Sequence, residues 1–283
     1  MKNEASCLCG SIRWEITAEP FNAFNCHCKL CRKAHGSAFA TYWFVKADQF
    51  RWLSDTDSLV RYRSSPLLTR SFCGTCGSVV PYPSEQSDHW VTPGGCHDDG
   101  KKSDCHIFVA HSAPWYEITG DLPQHDDYPD FTGMKRVEEE PLEPGPEGVV
   151  RASCMCGTVQ CEITEPFKIV HNCYCQRCRK ARAAAHATNG FTSMQGVTFT
   201  QGEDNLVAYK VPDAEHFTQV FCKTCGSKMP RLDPGRKIAV IPFGSLDDDP
   251  QARPVDHIFV NYKAGWHEIS DDLPQFGEEP VSN

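Results

Sequence analysis

Apolar side chains at Ile12, Trp14 and Ile16 alternate with polar Arg13 and Glu15, the period-two signature of a strand with one face buried. The same alternation returns at Val159, Cys161 and Ile163. Phe39 through Val45 and Gly196 through Thr200 are rich in β-prone side chains with turn residues close by, so they too predict strands. Twenty prolines and twenty glycines recur often enough to keep every element short. Helix is suggested only briefly, through Arg32-Lys33-Ala34 and Arg179-Lys180-Ala181, each following a cysteine. The pattern predicts a mainly β protein with little helix.

The chain also repeats itself. Residue n laid over n+147 places Cys7-Leu8-Cys9-Gly10 on Cys154-Met155-Cys156-Gly157, and Cys26, Cys28 and Cys31 on Cys173, Cys175 and Cys178. The offset drifts to 149 at Phe72-Cys73-Gly74-Thr75-Cys76-Gly77, which falls on Phe221-Cys222-Lys223-Thr224-Cys225-Gly226. It reaches 151 where His106-Ile107-Phe108-Val109 falls on His257-Ile258-Phe259-Val260 and Trp115 on Trp266. So small a drift means two copies of one domain, expected at 1–134 and 151–283. Solenoid units, by contrast, repeat every 20 to 50 residues or so. Residues 135–150, dense in Glu, Pro and Gly, read as a linker, and the acidic tail after Phe276 as loose chain.

Composition narrows the class. A net charge of −9 and no basic segment argue against nucleic acid as a partner. No apolar run approaches the roughly 18 residues of a membrane span, and the N-terminus lacks the apolar core of an export signal. A cytoplasmic protein is expected. In a reducing compartment, closely spaced cysteines point to metal rather than to disulfides, and this chain has 17.

The cysteines sort into two kinds of set. Cys7 and Cys9 with Cys73 and Cys76, and Cys154 and Cys156 with Cys222 and Cys225, supply two thiolate pairs per copy, enough for a closed tetrahedral zinc site that braces the fold. The trios Cys26, Cys28, Cys31 and Cys173, Cys175, Cys178 cannot join without overfilling it. They predict a second zinc centre whose fourth position takes water or substrate, or else a nearby histidine or aspartate. His27, His35, His106 and His111 could close the first trio, and His171, His186 and His257 the second. Cys161 reads as a packing residue, and Cys96 and Cys105 as incidental thiols, because the second copy lacks them. Arg32, Lys33, Arg177, Arg179, Lys180 and Arg182 around the trios could receive carboxylates, or form a solvated basic face.

These motifs, with the closing His-Ile, Trp and Asp-Leu-Pro of each copy, resemble the family of the glutathione-dependent formaldehyde-activating enzyme, which includes the centromere protein V domain. The resemblance covers both halves. It implies two small β-tent domains of mostly antiparallel strands, each with a structural four-cysteine zinc and a catalytic three-cysteine zinc. It further implies carbon–sulfur lyase or ligase chemistry on an adduct of glutathione, or another small thiol, with an aldehyde such as formaldehyde. His27 or His106 would move the proton. The copies depart from the family pattern differently: the second has Tyr174 for the histidine and Ala183 for Gly36, while the first has Ser112 where the second keeps Lys263. Both remain candidates for turnover. A tandem zinc-scaffolded module that binds protein partners without chemistry is the rival reading.

Overall fold

The structure, a computed structural model, describes residues 2–134 and 145–280. The linker core at 135–144 and the last three residues of the tail lie outside the described residues. The molecule is mainly β, built from short strands with, among the described residues, two seven-residue α-helices, α1 (Lys29–His35) and α2 (Gln176–Arg182).

Each half begins with a small antiparallel sheet that carries the alternating positions. Asn3–Ser6, Arg13–Ile16 and Phe50–Trp52 form it in the first half; Val150–Ser153, Gln160–Ile163 and Val197–Gln201 form it in the second. Ile12 and Trp14 are fully buried there, as are Val159 and Cys161, while Arg13 faces water. A larger sheet holds the trio. In the first half Asn22–Cys26 lies between Ala40–Lys46, antiparallel, and Cys105–Ile107, parallel; Ile169–Cys173 lies between Ala187–Ser193 and Asp256–Ile258 in the same way. The mainly antiparallel plan therefore closes on a parallel strand, which the sequence pattern did not single out. Parallel pairing needs a long crossover, and nearly the whole domain supplies it. The tail described up to Glu278 is tied down rather than loose: Phe276 N donates to His257 O at 2.8 Å and Tyr262 Oη to Glu278 Oε1 at 2.8 Å.

The halves share one interior. Trp43, Trp115, Phe243 and Trp266, two from each half, are buried in a single apolar cluster, with Trp43 against Trp266 and Trp115 against Phe243 at ring-centroid distances of 5.8 and 5.2 Å. The basic residues after each trio cross this boundary. Lys33 Nζ on α1 meets Asp247 Oδ1 at 2.6 Å, and Arg179 on α2 meets Asp98 at 2.5 Å. Lys33 and Arg179 are both 3% exposed, so the solvated basic face is corrected for these two: they fasten one half to the other. Lys228, buried at the same boundary, donates to Ala34 O and Gly77 O of the first half and to its own Gly226 O. Gly36 and Ala183 end the two helices in left-handed conformation, φ 63° and 52°. A Cβ on Gly36 would stand 2.7 Å from Lys228 Cβ, so the glycine serves the contact between halves.

Candidate metal centres and the cleft beside the second trio

Strand, cap and helix bring each trio together. Cys26 ends a strand, Cys28 caps α1 by accepting from Cys31 N at 3.4 Å, and Cys31 stands in the first turn. Cys173, Cys175 and Cys178 repeat this at α2, with the same 3.4 Å cap. The quartets form where tight turns meet: Gly10 and Gly77 take φ of 78° and 75° just past their cysteine pairs, and Gly157 and Gly226 do the same.

All seventeen cysteines are free thiols, and fourteen of them gather into four groups whose sulfurs lie within 4.8 Å of one another. These are Cys7, Cys9, Cys73, Cys76; Cys154, Cys156, Cys222, Cys225; and the two trios. Each group can hold a metal ion. In the quartets, Cys9 and Cys73 are 3.7 Å apart, as are Cys156 and Cys222. The edge of a tetrahedron with 2.3 Å metal–sulfur bonds is about 3.8 Å, so the donor sets fit zinc. Ile12 N and Val159 N donate to Cys7 and Cys154 sulfurs at 3.4 and 3.2 Å, and Asn205 Nδ2 donates to Cys222 at 3.1 Å. Such donors tune and orient thiolate ligands. Among the described residues no histidine or carboxylate joins either trio, so none of the seven histidines considered as a fourth ligand closes one. Crowding leaves thiolate ready in the second trio: hydrogen bonds from Cys173, then Cys178, hold Cys175 down to about 3. Cys96, Cys105 and Cys161 are buried in apolar clusters and belong to none of the four groups, although Cys96 shares its cluster with Cys7, Cys73 and Cys76, and Cys105 with Cys26 and Cys31.

The surroundings of the trios differ. The second opens on a cleft of about 670 Å³ lined by all three cysteines and by His171, Arg177, Arg182, Asn189, Gln219, Arg231 and Glu279, among others. At the equivalent positions the first half has Phe24 for His171, Tyr42 for Asn189, Tyr82 for Arg231 and Tyr128 for Glu279. Those rings pack around Cys26, Cys28 and Cys31 together with Leu68 and Met134. Burial, and then the charges of Cys26, Cys31 and Cys28, push the Tyr128 phenol well above its usual range. Arg70 donates to Cys31 Sγ at 3.3 Å and to Tyr42 Oη at 2.8 Å, while His35 bonds the same hydroxyl at 2.8 Å. In the second half Arg182, at the position of His35, brings the guanidinium and donates to Asn189 Oδ1 at 2.9 Å.

A histidine–carboxylate pair stands at the cleft that has no counterpart in the first half. His171 Nδ1 meets Asp256 Oδ1 at 2.5 Å, with the side chains 13% and 8% exposed. The first half has Phe24 and Cys105 there. From sequence His171 stood out only as a possible ligand, and Asp256 not at all; the signal was a polar pair replacing an apolar pair between the copies. His27 and His106, expected to move protons, bond each other at 2.8 Å. Their rings pack on Phe39 in the interior between the halves, where His106 lines a central cavity. Tyr174 Oη and His257 Nδ1 repeat the pair at 3.0 Å.

Among the described residues no helix is long and apolar enough to cross a membrane. An uncharacterized lyase of Schizosaccharomyces pombe is 30% identical over 77 residues, 27% of this chain, and the chain spans about half (54%) of that relative's length. A Rhodobacter sphaeroides protein of known crystal structure aligns over 34% of this chain and 85% of its own, at 20% identity and a TM-score of 0.29. The profile of the glutathione-dependent formaldehyde-activating enzyme family matches residues 2–111 and again 149–262. With both halves matched, the chain belongs to the glutathione-dependent formaldehyde-activating enzyme family, as a tandem two-domain member.

Proposed function

We propose that the chain is a zinc-dependent carbon–sulfur lyase or ligase whose working centre is the trio of Cys173, Cys175 and Cys178. Its substrate is the adduct of glutathione, or another small acidic thiol, with an aldehyde such as formaldehyde. The observation that carries this reading is the exchange of Phe24, Tyr42, Tyr82 and Tyr128 for His171, Asn189, Arg231 and Glu279, which opens the second trio and leaves the first packed in rings. The quartets would hold structural zinc, and Cys26, Cys28 and Cys31 a zinc that is closed off. The family units would run over 1–134 and 151–283, joined by 135–150. Free thiols throughout suit a cytoplasmic setting.

Three thiolates with no fourth protein donor among the described residues suit zinc with one position open. Zinc bound there would supply Lewis acidity to sulfur or oxygen. The protein supplies the rest. Arg177, Arg231 and Arg236 on the cleft wall offer cations to the carboxylates of the thiol. Arg182, buried beside the sulfurs, compensates their negative charge. Asp256 Oδ1 accepts a hydrogen bond from His171 Nδ1–H and so leaves Nε2 to exchange a proton with substrate. In cleavage of a hemithioacetal, Nε2 takes the hydroxyl proton as the C–O bond becomes a carbonyl. The C–S bond breaks and its electron pair leaves on sulfur.

The test follows adduct formation and decay by carbon NMR with labelled formaldehyde and glutathione. Cys175→Ser is expected to abolish turnover, Cys28→Ser to keep most of it, and His171→Asn to lower kcat about 100-fold, the ordinary worth of general acid–base help. Turnover surviving in Cys175→Ser, or lost in a folded Cys28→Ser protein, overturns the assignment.

A further inference from the structure

The cleft beside Cys173, Cys175 and Cys178 has an apolar wall that the carboxylates of a thiol do not use. Phe191, Phe217, Val240 and Phe259 line it alongside the arginines. Phe217 and Phe259 pack against the cluster of Cys173, Cys178 and Ile258, so these two rings stand beside the sulfurs themselves. Phe191 lies edge to face with His171 at a centroid distance of 5.8 Å, next to the group that exchanges the proton.

These rings are not core left over from the shared fold. Where the second half has Phe217 the first has the smaller Leu68, so apolar surface grows at the trio that opens. Phe259 corresponds to Phe108, which is 5% exposed and packed edge to face with Tyr128 at 4.8 Å. With Glu279 in place of Tyr128, Phe259 is only half-buried. Both phenylalanines take left-handed backbone, φ 59° and 58°, which a bulky side chain rarely adopts. Strain of that kind collects at functional positions. Here it sets a ring against the sulfurs in both halves and leaves it uncovered in one.

The chemistry of the adduct says what covers it. The reacting carbon of a hemithioacetal carries sulfur, hydroxyl, hydrogen and the substituent of the aldehyde. The thiol's carboxylates belong to the arginines and the hydroxyl to His171. The substituent is the group left for the rings. In formaldehyde it is a hydrogen atom, and the apolar wall stays wet; an alkyl or aryl group removes it from water.

Resting on the thiol–aldehyde reading above, we infer that the second trio selects aldehydes with an apolar substituent, seated on Phe217 and Phe259, over formaldehyde itself. The bond changes are those of the smaller adduct. The C–S bond breaks, a carbonyl forms as the hydroxyl proton leaves, and that proton ends on sulfur, giving aldehyde and free thiol. Exchange NMR on the zinc-loaded full chain measures turnover of the glutathione adducts of formaldehyde, acetaldehyde and hexanal. From first to last kcat/KM is expected to rise at least tenfold, modest beside the roughly 10–200-fold that one methylene group commands in an apolar pocket. Phe217→Ser should lower the hexanal-to-formaldehyde ratio at least tenfold, and Phe217→Leu, which copies Leu68, about threefold. A wild-type ratio at or below one, or a ratio unmoved in F217S, overturns the inference while the lyase reading stands. Turnover of none of the three adducts overturns both. Should F217S fail to fold, F217L decides, and undiminished selectivity there sinks the inference.

Discussion

Replacing Lys33 by methionine weighs the junction between the halves. Lys33 Nζ meets Asp247 Oδ1 at 2.6 Å and both Ser153 O and Ser153 Oγ at 2.7 Å. The two charged side chains are 4% and 7% exposed. Methionine fills the same volume but leaves Asp247 with the Ser153 hydroxyl at 2.5 Å as its remaining short partner among these groups. Stranding one member of a buried pair costs about 3–5 kcal/mol, whereas an exposed pair is worth about 0–1 kcal/mol. With an unfolding entropy of about 2.1 cal/mol/K per residue, a chain of 283 residues should lose roughly 5–8 °C in Tm. Urea unfolding of the zinc-loaded protein, followed by circular dichroism, measures the loss. Removing both charges, in Lys33→Met with Asp247→Leu, is expected to recover most of it, because no uncompensated charge is left buried. Lys180→Met is the control: Lys180 touches Ser6 Oγ at 2.9 Å while Asp98 pairs with Arg179, so about 1 kcal/mol or less is expected. A K33M protein within 1 kcal/mol of wild type, or single costs that simply add in the double variant, would refute the reasoning.

Stripping zinc with a strong chelator should unfold the protein, since structural zinc contributes about 10–16 kcal/mol and a domain is stable by only about 5–15 kcal/mol; Cys222→Ser should do so at lower chelator concentration, read by circular dichroism. His97 is fully buried between Trp14 Nε1 and Asn3 Oδ1, and burial lowers it to about 3. The unfolded chain therefore takes up a proton near pH 6.5 that the folded chain refuses, so stability present above pH 6.5 is lost as pH falls toward 3. His97→Leu, which copies Leu246 of the second half, should flatten that acid slope by about one proton, or about 1.4 kcal/mol per pH unit, in urea titrations between pH 7 and 5. Arg231→Gln should raise KM for glutathione adducts at least tenfold with kcat little changed, and leave adducts of an uncharged thiol unaffected, which steady-state kinetics would show.

The repeat and the cysteine sets were legible in the sequence because metal ligands impose residue type and spacing together. Short strands at Arg13–Ile16 and Gln160–Ile163 were legible for a similar reason, an apolar face each, although Glu15, read as facing water, is 1% exposed and paired with Arg51. The merging of the halves was not. Lys33 and Arg179 look like surface residues until a partner carboxylate arrives from the other copy, some 214 positions away in the case of Asp247. Nor did periodicity tell the trios apart. The difference lies in side chains from five separate strands and loops, Phe24 against His171 and Tyr128 against Glu279 among them, which only the folded chain collects. His27 was read as a neighbour of its trio by sequence adjacency, yet strand alternation turns it to the opposite side, into the interior.

A crystal of the zinc-loaded protein soaked with glutathione tests the central claim most directly. The sulfur of the thiol should complete the site of Cys173, Cys175 and Cys178, with its carboxylates toward Arg177 and Arg231, while the site of Cys26, Cys28 and Cys31 receives none. Glutathione on the first trio, or a protein side chain completing the second, would contradict it.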